Sequence, residues 1–173
     1  MDSADVLIRP AVVDDADGIA SVKVLSWQQG YKGIVPDHEL DAMSASKHAV
    51  RWREILNRSD SVTWIAVSRE EVLAFASIGP CRDADIPPGS SELWALYVSP
   101  DHWRCGIGAR LWSEMKITVI PPAAPIVSVL VLADNERARR FYEKQGFQAD
   151  GTSRVIVIGG RNLDEVRYVQ KLH

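Results

Sequence analysis

The chain has little cysteine: Cys81 and Cys105 are its only two in 173 residues, and they form no Cys-x-x-Cys pair. That argues against a disulfide framework and a cysteine-built zinc site, and it fits a reducing cytoplasm. His38, His48 and His173 stand at no metal-ligand spacing with carboxylates or cysteines, and His102, beside Pro100, reads as a surface residue. No metal is therefore expected. No apolar run approaches the roughly 18–20 residues that cross a bilayer, so no membrane span is expected. The opening residues Met-Asp-Ser-Ala-Asp hold neither a basic cluster nor an apolar core, so no signal peptide is expected. Positive charge is not in excess either. A net charge of −3 argues against non-specific nucleic-acid binding, which depends on many Lys/Arg–phosphate contacts. Internal repeats, low-complexity tracts and interdomain linkers are also missing.

What is present describes an ordinary globular chain, 46% hydrophobic and 25% charged. Residues 1–173 read as a single domain, long enough to bury roughly two-thirds of its unfolded surface without staples. Val6–Ile8 is a short strand. Apolar residues at Ile19, Val22 and Leu25, after Asp14 and Asp15, predict an amphipathic helix over about 15–29. Gly30 and Gly33 break it, Pro36-Asp37 restarts helix, and Val50, Trp52, Ile55 and Leu56 mark a third helical stretch. Val62–Val67 and Val72–Ile78 read as an antiparallel hairpin by their β-branched and aromatic content. Residues 79–91 are a Pro/Gly loop. Ile126–Leu132, almost wholly aliphatic, is a strand buried on both faces. Asn135 is an N-cap, Ala138, Phe141 and Tyr142 share a helix face, and Gly146 closes that helix. Arg154–Ile158 and Leu163–Leu172 flank a Gly159-Gly160 turn. The fold class is mixed α/β.

Residues 92–111 organise the rest. An apolar strand, Leu93–Val98, ends at Ser99-Pro100, and a turn with two glycines, Trp103-Arg104-Cys105-Gly106-Ile107-Gly108, opens a helix carrying Ile107, Leu111 and Met115 at four-residue steps. Such a turn aims free backbone N–H groups at one point, where the helix dipole adds partial positive charge. That combination binds phosphate, so an anionic cofactor is expected on Trp103–Ala109.

A second block, Leu132-Ala133-Asp134-Asn135-Glu136-Arg137-Ala138 continuing into Phe141-Tyr142-Glu143-Lys144-Gln145-Gly146-Phe147, joins that stretch and the element order. Together the three features resemble the GNAT superfamily of acetyl-CoA-dependent N-acetyltransferases. The resemblance implies a splayed central sheet with antiparallel hairpins flanked by helices, and a pantetheine arm entering the gap between the strands ending near Val98 and Leu132. It implies acetyl-CoA contacts from Leu96, Tyr97 and Val98, where a bulge is expected, from Trp103, Arg104, Cys105, Gly106, Ile107, Gly108 and Ala109, and from Asn135, Ala138 and Tyr142. The family's turn usually begins with Gln or Arg. Trp103 stands there instead, and Arg104 replaces a common glycine. Trp103 would pack on the cofactor or on the third helix, and Arg104 would touch phosphate or face solvent.

Acetyl transfer needs a neutral amine, a polarised carbonyl and a proton for the leaving thiolate. By resemblance Tyr142 supplies the proton, a role a phenol of pKa near 10 suits. The plainer reading is a core aromatic beside Phe141. Glu92, eleven residues before Trp103, matches the glutamate that some branches use as base; otherwise it is a solvated strand-end residue. The Tyr97 and Val98 amides are candidates to polarise the carbonyl. Cys105 lies at the expected pyrophosphate, away from any thioester. Trp27, Gln28 and Tyr31 lie where an acceptor pocket is implied, with Asp37, Glu39 or Asp41 to attract a cationic amine, although helix packing and a solvated acidic face explain them equally simply. The expected partner is a small-molecule amine, with a protein or peptide amine as the alternative. A homodimer through the C-terminal strand edge is open by analogy. A non-catalytic acyl-CoA sensor of the same fold would lack the acid that Tyr142 provides. A Rossmann enzyme would need a third small residue where Leu111 stands, and an acidic ribose ligand that is not there.

Overall fold

The computed structural model describes residues 6–121 and 123–172. Met1–Asp5, on which the signal-peptide expectation rests, Pro122 of the proline break and His173 lie outside them. Seven strands form one sheet in the order β1-β2-β3-β4-β5-β7-β6. They are β1 (Leu7–Pro10), β2 (Val62–Ser68), β3 (Glu71–Pro80), β4 (Ser91–Val98), β5 (Ile126–Leu132), β6 (Gln148–Ile158) and β7 (Arg161–Lys171). The helices are α1 (Ala16–Gly30), α2 (Asp37–Asp41), α3 (Ala45–Leu56), α4 (Ile107–Thr118) and α5 (Glu136–Lys144). No helix among the described residues is long and apolar enough to cross a membrane.

Two apolar cores sandwich the sheet. On one face, Ile19, Ala20 and Val22 of α1 and Ala49 and Trp52 of α3 pack on Ile65, Val72 and Phe75. On the other, Ile107, Leu111, Trp112 and Met115 of α4 and Tyr142 of α5 pack on Ala74, Ala76, Leu93, Val127 and Val129. The β2–β3 hairpin closes through Arg69 and Glu70, both with positive φ (49° and 69°), and the β6–β7 hairpin through Gly159 and Gly160 (57° and 77°). Positive φ at both central residues is the primed turn that suits the twist of paired strands. Observed β6 begins at Gln148 rather than Arg154, because a register break between Ala149 and Ser153 interrupts its ladder and hides the strand pattern.

The sheet changes character at its centre. β3 and β4 pair antiparallel, whereas β4 and β5 pair parallel and only at Ser91↔Val127 and Glu92↔Ser128. Beyond these two pairs the strands diverge. The bulge lies at Trp94, between the pairs Ile78↔Leu93 and Ser77↔Ala95. It therefore precedes the expected Leu96–Val98 and sits just where β4 leaves β5. An extra residue in one strand bends it and increases its twist, which accounts for the splay.

Candidate functional site

The splay opens a cavity of about 950 Å³. One wall is β4 from Leu93 to Val98, the opposite wall is Val129–Val131 of β5 with Asn135, Ala138, Phe141 and Tyr142, and the mouth is Trp103, Arg104 and Gly106–Ala109. Ser26 of α1 and Tyr31, the residue just past its end, line it as well.

The strand wall has a defined polarity. Tyr97 is opposite Phe75, and the Ser99 N–H donates to Leu73 O at 2.7 Å. Alternation along an antiparallel ladder then turns the Tyr97 amide toward β3 and leaves the Leu96 and Val98 amides facing the gap. Of the two amides expected to polarise a carbonyl, only that of Val98 is available. Its carbonyl is committed, since Ser26 Oγ (2.8 Å) and Trp103 Nε1 (2.7 Å) both donate to Val98 O. Trp103 is thus a brace between turn and strand, and it also lines the cavity mouth.

Both glycines of the turn have a steric reason. Gly106 caps α4 with φ 80°, a left-handed conformation that favours glycine. Gly108 lies where a Cβ would come 3.2 Å from Val98 Cγ2 and 3.5 Å from both Leu96 Cδ2 and Phe141 Cε2, so it allows α4 to approach the strand closely. Arg104 is left-handed too (φ 64°) and exposed at the rim. The Cys105 thiol is exposed, donates toward Trp103 O at 3.5 Å, and does not line the cavity.

On the far wall Asn135 is buried and caps α5, its Oδ1 accepting from the Ala138 N–H at 3.1 Å. Tyr142 is packed as a core aromatic and also faces the cavity. Its ring packs edge-on against Phe141 and Phe147, with centroids 5.2 Å and 5.5 Å away, while it lines the cavity. Burial, helped by nearby Tyr31, pushes its phenol far above the ordinary tyrosine range. Burial thus favours the neutral, protonated phenol.

Sequence reasoning used only the backbone of Tyr97, yet its side chain also belongs here. Its ring packs on Phe75 at 5.5 Å, and burial, together with Tyr31, raises its pKa well above the usual value. Tyr31 is partnered by Tyr97 and Asn135, so the end of α1 meets β4 and the cap of α5. Arg137 was missed as well. It is a rim residue whose guanidinium lies 3.4 Å from the Trp103 ring centre. A lone arginine on a charged helix face carried no signal without knowledge of where Trp103 would point.

Several other expected residues do not line the cavity. Trp27 stacks edge-on against Tyr31 at 4.8 Å but belongs to the core with Val35 and Leu40, and it does not line the cavity. Gln28 donates to Leu40 O at 3.0 Å and joins α1 to α2. Glu92 is 2% exposed, neither solvated nor on the cavity wall. Its carboxylate accepts from Arg82 Nε (2.9 Å), Arg82 Nη2 (2.5 Å) and the Arg82 amide (3.1 Å). Asp37 and Asp41 are exposed, and Glu39 lies 3.5 Å from His38 Nε2. Among the described residues no group of three or more His, Cys, Asp or Glu is arranged to hold a metal ion.

The family model for GNAT acetyltransferases matches residues 24–147. A probable N-acetyltransferase of Mycobacterium tuberculosis is 30% identical over 172 residues, which is 97% of this chain and 95% of that protein. A ribosomal-protein-alanine N-acetyltransferase of Brucella melitensis shares the fold with a TM-score of 0.75 at 23% identity, over 96% of this chain and 99% of that one. The PaiA N-acetyltransferase of Thermoplasma acidophilum, solved in complex with coenzyme A, does so with a TM-score of 0.70 at 21% identity, over 96% and 98%. A splayed β4–β5 pair, a glycine turn at its mouth and a matching relative aligned almost end to end lead to one conclusion: the chain is an acyltransferase that belongs to the GNAT acetyltransferase family.

Proposed function

We propose that the protein transfers the acetyl group of acetyl-CoA directly to the primary amine of a small molecule. The observation that carries this reading is the cavity between β4 and β5, with free strand amides on one wall and the buried Tyr142 phenol on the other. The pyrophosphate rests on the amides of Arg104–Ala109, where backbone N–H groups and the α4 dipole act together. The pantetheine arm lies along Leu96–Val98, Asn135 and Ala138. The amine enters beside Ser26, Tyr31 and Tyr97 and attacks the thioester carbon. Negative charge gathers on the carbonyl oxygen and is stabilised by the Val98 N–H. The C–S bond then breaks, and Tyr142 gives its proton to the departing sulfur.

Glu92 takes a supporting part in this reading. Its oxygens are held by Arg82 at the vertex of the splay, so it acts as a fixed negative charge there, and the amine proton passes to water. The C-terminal edge fits a homodimer, because the outer strand β6 exposes Val155 and Val157. The two free cysteines fit a cytoplasmic enzyme. An amine panel with detection of the released thiol tests the proposal. Amine-dependent thiol release supports it, and acetyl-CoA binding without any such release contradicts it.

A further inference from the structure

One side chain spans the mouth of the cleft. Arg137 stands on the first turn of α5, after the β5 limb, and lies across Trp103, which follows the β4 limb. It also reaches the C-terminal end of α1, where a Cβ on Gly30 would come 2.5 Å from Arg137 Nη2. The indole beneath it is fixed by its own bond to Val98 O, so the stacked guanidinium is held in one plane. Its edge keeps several N–H donors for another partner. Burial lowers its pKa, and the charged or polar side chains acting on it are Tyr31 and Arg104.

No ion pair joins Arg137 to a carboxylate among the described residues. Glu136, next to it in sequence, is bonded to Arg140, and Glu165, which acts on Tyr31, is bonded to Arg154. Arg104 adds a second positive charge to the same cavity rim. Arg137, Arg104, the Tyr31 hydroxyl and the Asn135 amide therefore share a rim whose one acid, Glu136, is already paired with Arg140. The complementary group is an anionic oxygen pair. Two molecules could bring one: the acceptor through a carboxylate, or the cofactor through a phosphate. The backbone amides of the turn already serve the phosphates, and Arg137 faces α1, the wall beside which the amine enters.

Resting on the amine-acetylation reading above, we propose that Arg137, laid on Trp103 beside the Tyr31 hydroxyl, binds a carboxylate of the acceptor. The preferred substrates are then amino acids or other amines that carry a carboxylate. Trp103, the aromatic departure at the head of the turn, is the platform that orients this arginine.

The test is a set of paired acceptors, each amine offered as its carboxylate and as its carboxamide, assayed by thiol release. CoA binding is measured by calorimetry on the same preparations. The wild type favours the carboxylate member on the order of tenfold in kcat/KM, the scale of a charge-assisted pair at a partly solvated site. Arg137→Gln brings that ratio close to one, through KM rather than kcat, and Arg137→Lys keeps part of it. The Kd for CoA stays within about twofold in both variants. A wild-type ratio near one, or a ratio unchanged in Arg137→Gln, overturns the assignment. So does a loss confined to CoA affinity, which gives the arginine to a cofactor phosphate. Equal turnover of both pair members defeats this inference alone. No turnover of any amine by the wild type defeats the transfer reading together with it.

Discussion

Tyr142 is a packed residue that, in the proposed reading, also supplies the acid. Its ring fills the aromatic corner with Phe141 and Phe147, and the same burial keeps its hydroxyl protonated. Tyr142→Phe retains the ring and removes the acid. We expect kcat to fall about a hundredfold, the lower range for general acid catalysis, with CoA affinity by calorimetry unchanged. An unchanged kcat would assign the proton to solvent. Glu92 makes the opposite case. From the sequence it reads as a base or as a solvated strand-end residue; at 2% exposure it is not solvated, and Arg82 holds its carboxylate. Glu92→Gln should lower kcat/KM by less than about tenfold and leave the pH–rate profile in place. Loss of an ionisation from that profile would restore the base role. Removing Arg82 instead leaves a buried carboxylate without its partner. Arg82→Ala should destabilise the fold by about 1–3 kcal/mol in urea titration.

At the level of elements, most of the framework was legible. Asn135 and Gly146 bound α5 because a side-chain cap and a left-handed glycine are local requirements, visible in any context. The turn between β4 and α4 was legible for the same reason. The bulge was not placed correctly, because nothing in Glu-Leu-Trp-Ala-Leu-Tyr-Val distinguishes which residue is extra. That depends on pairing with Ser77 and Ile78, fixed by contacts distant in sequence. Trp27 and Trp103 were similarly ambiguous, since an indole in a helix or turn can face a core or a ligand, and only the packing of α1 decides. Gly106→Glu tests the turn as an element. A Cβ there meets nothing within 4 Å, so the change costs backbone strain of about 1–2 kcal/mol and adds a negative charge at the expected pyrophosphate. CoA affinity should fall by at least about a hundredfold while the circular dichroism spectrum persists. Retained affinity would move the phosphate site elsewhere.

Across the whole molecule, an ionic clasp joins the two limbs of the splayed sheet. Arg167 of β7 is 4% exposed and bonds Asp83 and Asp85 of the β3–β4 loop and Asp150 of β6, at 3.1, 2.5 and 2.7 Å. The Arg167 hydrogen bond lowers the pKa of Asp85. For Asp150, burial works to raise it, but the Thr152 amide and Arg167 outweigh that and the pKa falls. A carboxylate with a lower pKa folded than unfolded contributes stability above its unfolded value, near 3.9, and loses it as pH falls through the folded value. Thermal stability should therefore decline below about pH 4. In Arg167→Met the melting temperature should drop by about 10 °C at neutral pH, and the acid decline should flatten. An acid limb as steep as that of the wild type would show that the clasp contributes nothing.

The clasp, the bulge and the glycine turn all bear on one arrangement, two central strands that part around a cavity, which in the proposed reading admits a thioester with the amine approaching from α1. The most direct test of that claim is thiol release from acetyl-CoA by the wild-type protein, measured with and without an amine panel. We predict release that depends on the amine, saturates with it and matches the acetylated product one to one. Tight acetyl-CoA binding with no amine-dependent release of thiol would contradict it.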